Sequence, residues 1–182
     1  ENAITGSVRI SPVPIIVNRL LVPNLATLAR QHPNLTVELV PNSSNADLSK
    51  RDADLALRFA RPSEGGLRTK GQKLGEVSFA AYAASFISPD QNQELPWIGY
   101  DEAHMVLPQA RWIESQATSS AHYANLKVAD VETAMQAAAQ GIGKTLLPRS
   151  IASSDPRFQE IELEGDARYP TREVWLLSHV DQ

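Results

Sequence analysis

The first sixty residues constrain this chain most, because the apolar pattern there switches from period two to helical spacing and back again. Val8-Arg9-Ile10 alternates apolar and polar residues and runs into Ser11-Pro12-Val13-Pro14, which predicts a short strand followed by a proline-stiffened loop. Ile16, Leu20, Leu21, Leu25, Leu28 and Ala29 then share one helical face, predicting a helix over 15–31 with Pro23 as a kink or restart. Leu35 to Val40 returns to strict alternation before the turn residues Pro41-Asn42-Ser43-Ser44-Asn45. A short helical stretch near 46–51 leads to Asp54-Leu55-Ala56-Leu57-Arg58-Phe59, an apolar run flanked by charge, as in a strand covered on both faces. Strands separated by helices require crossover connections, so the expected class is α/β with a parallel or mixed sheet.

The rest of the chain keeps this grammar. Lys73 to Ala84 reads as one long strand, able to pass from one lobe to another, and Trp97-Ile98-Gly99-Tyr100 as a short one after the proline-bounded loop 88–96. Asp130 is a good N-cap for a helix over 131–140, whose apolar face is Val131, Ala134, Met135, Ala138 and Ala139, and Gly141 closes it. Lys144 to Leu147, Phe158 to Leu163 and Glu173 to Ser178 complete the strands.

Composition narrows the function. The 182 residues suffice for one large domain or two small lobes, and a chain of this size needs neither disulfide nor metal to fold. Cys is absent, so no redox compartment can be read. Lys+Arg at 17 against Asp+Glu at 21 gives a net charge of −4, which argues against a surface built to coat a polyanion. No apolar run reaches the roughly 18 residues of a membrane span.

Motifs for catalysis are missing. Gly141-Ile142-Gly143-Lys144-Thr145 ends like a phosphate-binding loop, but a helix precedes it and a strand follows, the reverse of the order that brings backbone N–H groups to phosphates. His32, His104, His122 and His179 have no metal-ligand spacing, and no Gly-x-Ser-x-Gly elbow occurs. No enzyme, metal or cofactor is therefore expected. In the basic cluster Arg58, Arg61, Arg68, Lys70 and Lys73, Arg58 stands apart, because it ends a strand where α/β sheets open their binding crevice. A guanidinium there can grip a carboxylate or phosphate, and Ser11 and Asn42 follow the ends of two other strands.

Five segments in order resemble the effector-binding domain of LysR-type transcriptional regulators. They are Gly6-Ser7-Val8-Arg9-Ile10-Ser11; the stretch from Val22-Pro23-Asn24-Leu25 to Leu39; Asp52-Ala53-Asp54-Leu55-Ala56-Leu57-Arg58-Phe59-Ala60-Arg61-Pro62; Leu74-Gly75-Glu76 to Ser85; and Ala137 to Pro148. The resemblance implies a fold like the type 2 periplasmic binding proteins, with two α/β lobes joined by two crossover strands and an effector cleft between them. Lobe I is expected over 1–75, lobe II over 76–161, and a return to lobe I over 162–182. It further implies a cytoplasmic homodimer, with a tetramer open to the full-length protein. DNA would be bound only through an N-terminal winged helix-turn-helix that this chain lacks.

Carried over by motif, the effector-binding residues are Ser11, Pro12, Val13, Asn42, Arg58 and Phe59, with Tyr100, Ala129 and Asp130 from the second lobe. Many relatives have a small neutral residue where Asp130 stands. A carboxylate at that helix end repels an anion whereas Arg58 attracts one, so the effector's charge stays open. A secreted solute carrier of the same fold is the alternative reading.

Overall fold

The structure is a computed structural model that describes residues 4–41, 54–59, 69–118, 122–165 and 168–179. The expected helix near 46–51 lies outside these residues. The chain forms two compact units, residues 1–76 with 173–182 and residues 77–172.

Unit 1 is a mixed sheet. Strand β1 (Gly6–Val13) pairs in parallel with β2 (Leu35–Pro41), and helix α1 (Ile15–Gln31) connects them. Strand β3 (Leu55–Arg58) pairs in parallel with β1 at Ile10↔Leu55. Asp54 pins this junction: its N–H donates to the Arg9 carbonyl at 2.9 Å, and its carboxylate accepts from the Arg9 N–H at 2.8 Å. On the other side of β3, strand β9 (Thr171–His179) runs antiparallel, with Arg58 opposite Trp175.

Two local expectations change here. The strand does not give way to a loop at Ser11; β1 continues through Val13, because one extra residue is absorbed between the pairs Ile10↔Leu39 and Val13↔Pro41. A bulge is where a sheet tolerates a proline, whose missing N–H then costs no ladder bond. Helix α1 runs unbroken through Pro23, and the Asn24 side chain donates to the Leu20 carbonyl at 2.8 Å within that turn.

Strand β4 (Thr69–Ala84) begins in unit 1 and enters unit 2 at Val77, and β9 makes the return passage at Glu173. Residues 162–172, read from the sequence as part of lobe I, pack with unit 2. The Trp112 indole donates to the Arg168 carbonyl at 2.9 Å, the Tyr169 ring lies 5.2 Å from that of Trp112, and Phe79 N–H donates to the Pro170 carbonyl.

In unit 2 the buried end of β4 pairs antiparallel with β7 (Thr145–Pro148) and β8 (Phe158–Glu160), while β5 (Trp97–Tyr100) and β6 (Tyr123–Val128) form a parallel pair. Helix α2 (Pro108–Gln116) follows β5, α3 (Val131–Ala139) follows β6, and the short α4 (Arg149–Ala152) follows β7. The core is Phe79, Ile98, Ile113, Met135, Leu146 and Leu147, each no more than 1% exposed.

Helix α3 begins and ends as its sequence predicts. Asp130 accepts from Thr133 N–H at 2.8 Å, and Gly141 adopts a left-handed φ of 78° beyond the last turn. The phosphate-loop lookalike is packing: a Cβ on Gly143 would lie 2.5 Å from the Pro96 carbonyl oxygen, so only glycine lets β7 approach. Lys144 is buried, its ammonium donating to the Asn92 and Gln93 carbonyls at 3.2 and 2.8 Å.

Candidate functional site

In unit 1 the bulge sets the site residues. Ser11 and Val13 are buried at the carboxyl end of β1, and Pro12 lies between them in the backbone. Arg58 is the last residue of the neighbouring parallel strand β3, and half-buried Phe59 follows it. Because β1 and β3 are parallel, their carboxyl ends share one edge of the sheet, so Ser11, Val13, Arg58 and Phe59 are gathered there. Asn42 lies outside the described residues.

The charge on Arg58 is the notable feature of this edge. Burial lowers its pKa from the ordinary arginine value, and among the described residues no carboxylate acts to restore it. Lys73, from the same sequence cluster, differs: it is exposed and pairs with Glu76 at 2.7 Å and Glu173 at 3.1 Å, bonds that raise its pKa. Glu173 also accepts from the Trp175 indole at 2.8 Å. The cluster thus divides into a paired cation on the surface and a desolvated one at a strand end.

In unit 2 the carboxyl ends of β5 and β6 bring Tyr100, Ala129 and Asp130 together. Tyr100 pairs with Val128, and Asp101 N–H donates to the Val128 carbonyl at 3.0 Å. Ala129 is exposed and Asp130 half-buried. Both Asp130 oxygens are engaged, one by Thr133 N–H and one by Thr133 Oγ1, each at 2.8 Å. That carboxylate caps the helix.

Burial pushes the Tyr100 phenol up to about 12; Gln109 tempers the rise, the charge of Asp130 adds to it and Arg172 opposes it. Sequence reasoning missed both Gln109 and Arg172. Gln109 is fully buried in the first turn of α2, a helix the sequence reading passed over, although Pro108 at its first position is a recognised start signal. Arg172 lies one residue before the strand as read from the sequence; burial brings its pKa down to about 10, with Tyr100 acting against the drop.

The whole chain, residues 1–182, matches the family described as the LysR substrate binding domain. The Mau operon transcriptional activator of Paracoccus denitrificans is 25% identical over 176 residues, which take in 93% of this chain and 57% of that protein. This chain therefore spans little more than half the length of that relative. Among solved structures, the CrgA regulatory domain of Neisseria meningitidis, a LysR-type regulator, superposes with a TM-score of 0.75 at 17% identity, covering 98% of this chain and 91% of that one. OxyR of Corynebacterium glutamicum, a cysteine variant, superposes at 0.66 with 19% identity, covering 100% of this chain and 60% of that one. The fold is thus that of LysR-type regulatory domains, α/β and like the periplasmic binding proteins, and the regulator reading is favoured over the solute carrier. The family is one of regulator domains rather than an enzyme class, and this chain belongs to it: the LysR substrate-binding domain family.

Proposed function

We propose that this chain is the sensing and dimerising part of a cytoplasmic LysR-type regulator. A small effector binds Ser11, Pro12, Val13, Asn42, Arg58 and Phe59 of unit 1 together with Tyr100, Ala129 and Asp130 of unit 2. An effector with different affinities for two conformations shifts their populations, and DNA-binding domains elsewhere in the full-length protein report the shift.

The observation that carries this reading is Arg58, a cation whose pKa burial lowers, at the strand edge where α/β sheets take ligands. The dimer reading is supported by α1, whose Leu20, Leu21, Leu25 and Leu28 are only half-buried and whose Val22 is 54% exposed, next to the sheet-edge strand β2. Among the described residues no helix is long and apolar enough to cross a membrane.

Thermal unfolding in the presence of low-mass fractions of a cell extract tests the proposal, since a ligand at 100 times its Kd stabilises by about 2.7 kcal/mol. At least one fraction should raise the Tm of the wild type and not that of Arg58→Ala. If every stabilising fraction acts equally on both proteins, Arg58 is outside the site.

A further inference from the structure

In unit 1 a large aromatic side chain that the sequence reading left out of the site stands beside Arg58. The antiparallel register of β3 and β9 places Trp175 directly opposite Arg58. Residues opposite one another in such a pair project from the same face, with Cβ atoms roughly 5 Å apart. Glu173, two residues earlier on β9, shares that face, and the Trp175 indole donates to its carboxylate at 2.8 Å. Because β9 runs antiparallel to β3, Glu173 lies past the carboxyl end of β3. This bond therefore draws the indole toward the edge where Ser11, Val13, Arg58 and Phe59 are gathered. Arg58 and Trp175 are both half-buried, so part of each reaches solvent.

An ion network holds the indole there. Glu173 pairs through its other oxygen with Lys73 Nζ at 3.1 Å, and Lys73 pairs in turn with Glu76 at 2.7 Å. Lys73 is thereby committed to two carboxylates of its own unit. Among the described residues of this edge, Arg58 is the cation that no carboxylate engages. A second anionic group placed past Trp175 would meet the Glu173 carboxylate rather than a counter-charge.

The composition of the edge narrows the ligand. Phe59 and Trp175 offer half-buried aromatic surface beside the guanidinium, and Ser11 a hydroxyl. A guanidinium donates only, so its partner is an anion that accepts. Aromatic surface gains by covering apolar area and gains nothing from hydroxyl groups, which lose water there without finding a partner. We infer that the effector is an organic anion with one anionic group on an apolar body, the anionic group held by Arg58 and the body laid against Trp175. This rests on the effector-binding reading above and makes Trp175 a specificity-determining residue. An inorganic anion, a sugar phosphate or a dicarboxylate satisfies one half of the arrangement and not the other.

The test is an NMR titration of the ¹⁵N-labelled chain with acetate and, separately, with benzoate, which share a carboxylate and differ in the apolar body. Both should shift the Arg58 Nε–H signal, assigned by its loss in Arg58→Lys. Benzoate alone should shift the Trp175 indole N–H, assigned by its loss in Trp175→Thr. Benzoate should bind at least about tenfold more tightly than acetate, as burial of a phenyl group requires. In Trp175→Thr that preference should shrink at least about threefold, while acetate binds as in the wild type. Trp175→Val serves if the threonine variant does not fold. Equal affinity for the two anions in the wild type, or an undiminished preference in the variant, overturns the inference and leaves Arg58 in the site. Equal weakening of both anions in the variant would make Trp175 a structural residue and overturns it too. If neither anion shifts Arg58, the effector-binding reading of Arg58 falls and the inference with it, so the two failures are told apart.

Discussion

A residue's chemistry in this chain follows from which strand end it occupies. Arg58 and Lys73 have the same sign and similar sequence surroundings, but one ends a buried strand and the other sits in an exposed ion-pair network. Replacing Arg58 by alanine should weaken binding of an anionic effector group by about 10–100-fold, the worth of a charged hydrogen bond. It should disturb the fold less, because among the described residues no carboxylate is left stranded. Tyr100 gives a second readout. Its folded pKa of about 12 lies above that of an unfolded tyrosine near 10, so the folded state keeps a proton that the unfolded state loses. The stability this contributes is complete below pH 10 and is lost as pH rises through about 12. Tyr100→Phe should remove the last-titrating part of the phenolate absorbance and flatten that alkaline loss. If the absorbance lost in the variant were instead the part that titrates at about pH 10, Tyr100 would lie in solvent. Arg58 was legible as a site candidate because strand-end position can be read from an apolar run. Gln109 was not, since a glutamine two residues past a leucine announces nothing until a fold encloses it.

At the scale of elements, caps and close approaches decide where strands and helices stop. Asp130 was read both as a cap and as an effector-binding residue, and its two bonds to Thr133 account for the first role. Asp130→Asn, which caps equally well, should hold stability within about 0.5 kcal/mol, whereas Asp130→Ala should cost about 1 kcal/mol in urea unfolding. Gly143→Ala should cost about 1–3 kcal/mol, because its Cβ meets a backbone oxygen that cannot move aside without breaking the Lys144 N–H bond to Pro96. Gly75, with nothing within 4 Å of an added Cβ, is the control: alanine there should be neutral or stabilising by about 0.5–1 kcal/mol. Equal effects at both glycines would mean that the close approach to the Pro96 carbonyl does not set the cost at Gly143. The β1 bulge and α2 escaped sequence reading for different reasons. Proline at position 12 reads as a strand terminator unless the register of the partner strand is known. Helix α2 buries Gln109 where an apolar residue would normally reveal the periodicity.

For the molecule as a whole, the alternation of periods was enough to reach the α/β class, and motif order was enough to reach the family. Where the chain passes between units was less legible. The return at Glu173 lies inside a strand, and residues 162–172 are held to unit 2 by Trp112 and Tyr169, aromatic contacts that no local pattern encodes. Both passages between the units, at Val77 in β4 and at Glu173 in β9, fall within continuous strands. The central claim, that this chain senses a small molecule as a dimer, is tested most directly by native mass spectrometry of the wild-type chain and Arg58→Ala after incubation with a low-mass cell extract. The account predicts a dimer in both proteins, with a small added mass in the wild type that is lost in the variant. A monomer, or a dimer that takes up no small molecule, would contradict it.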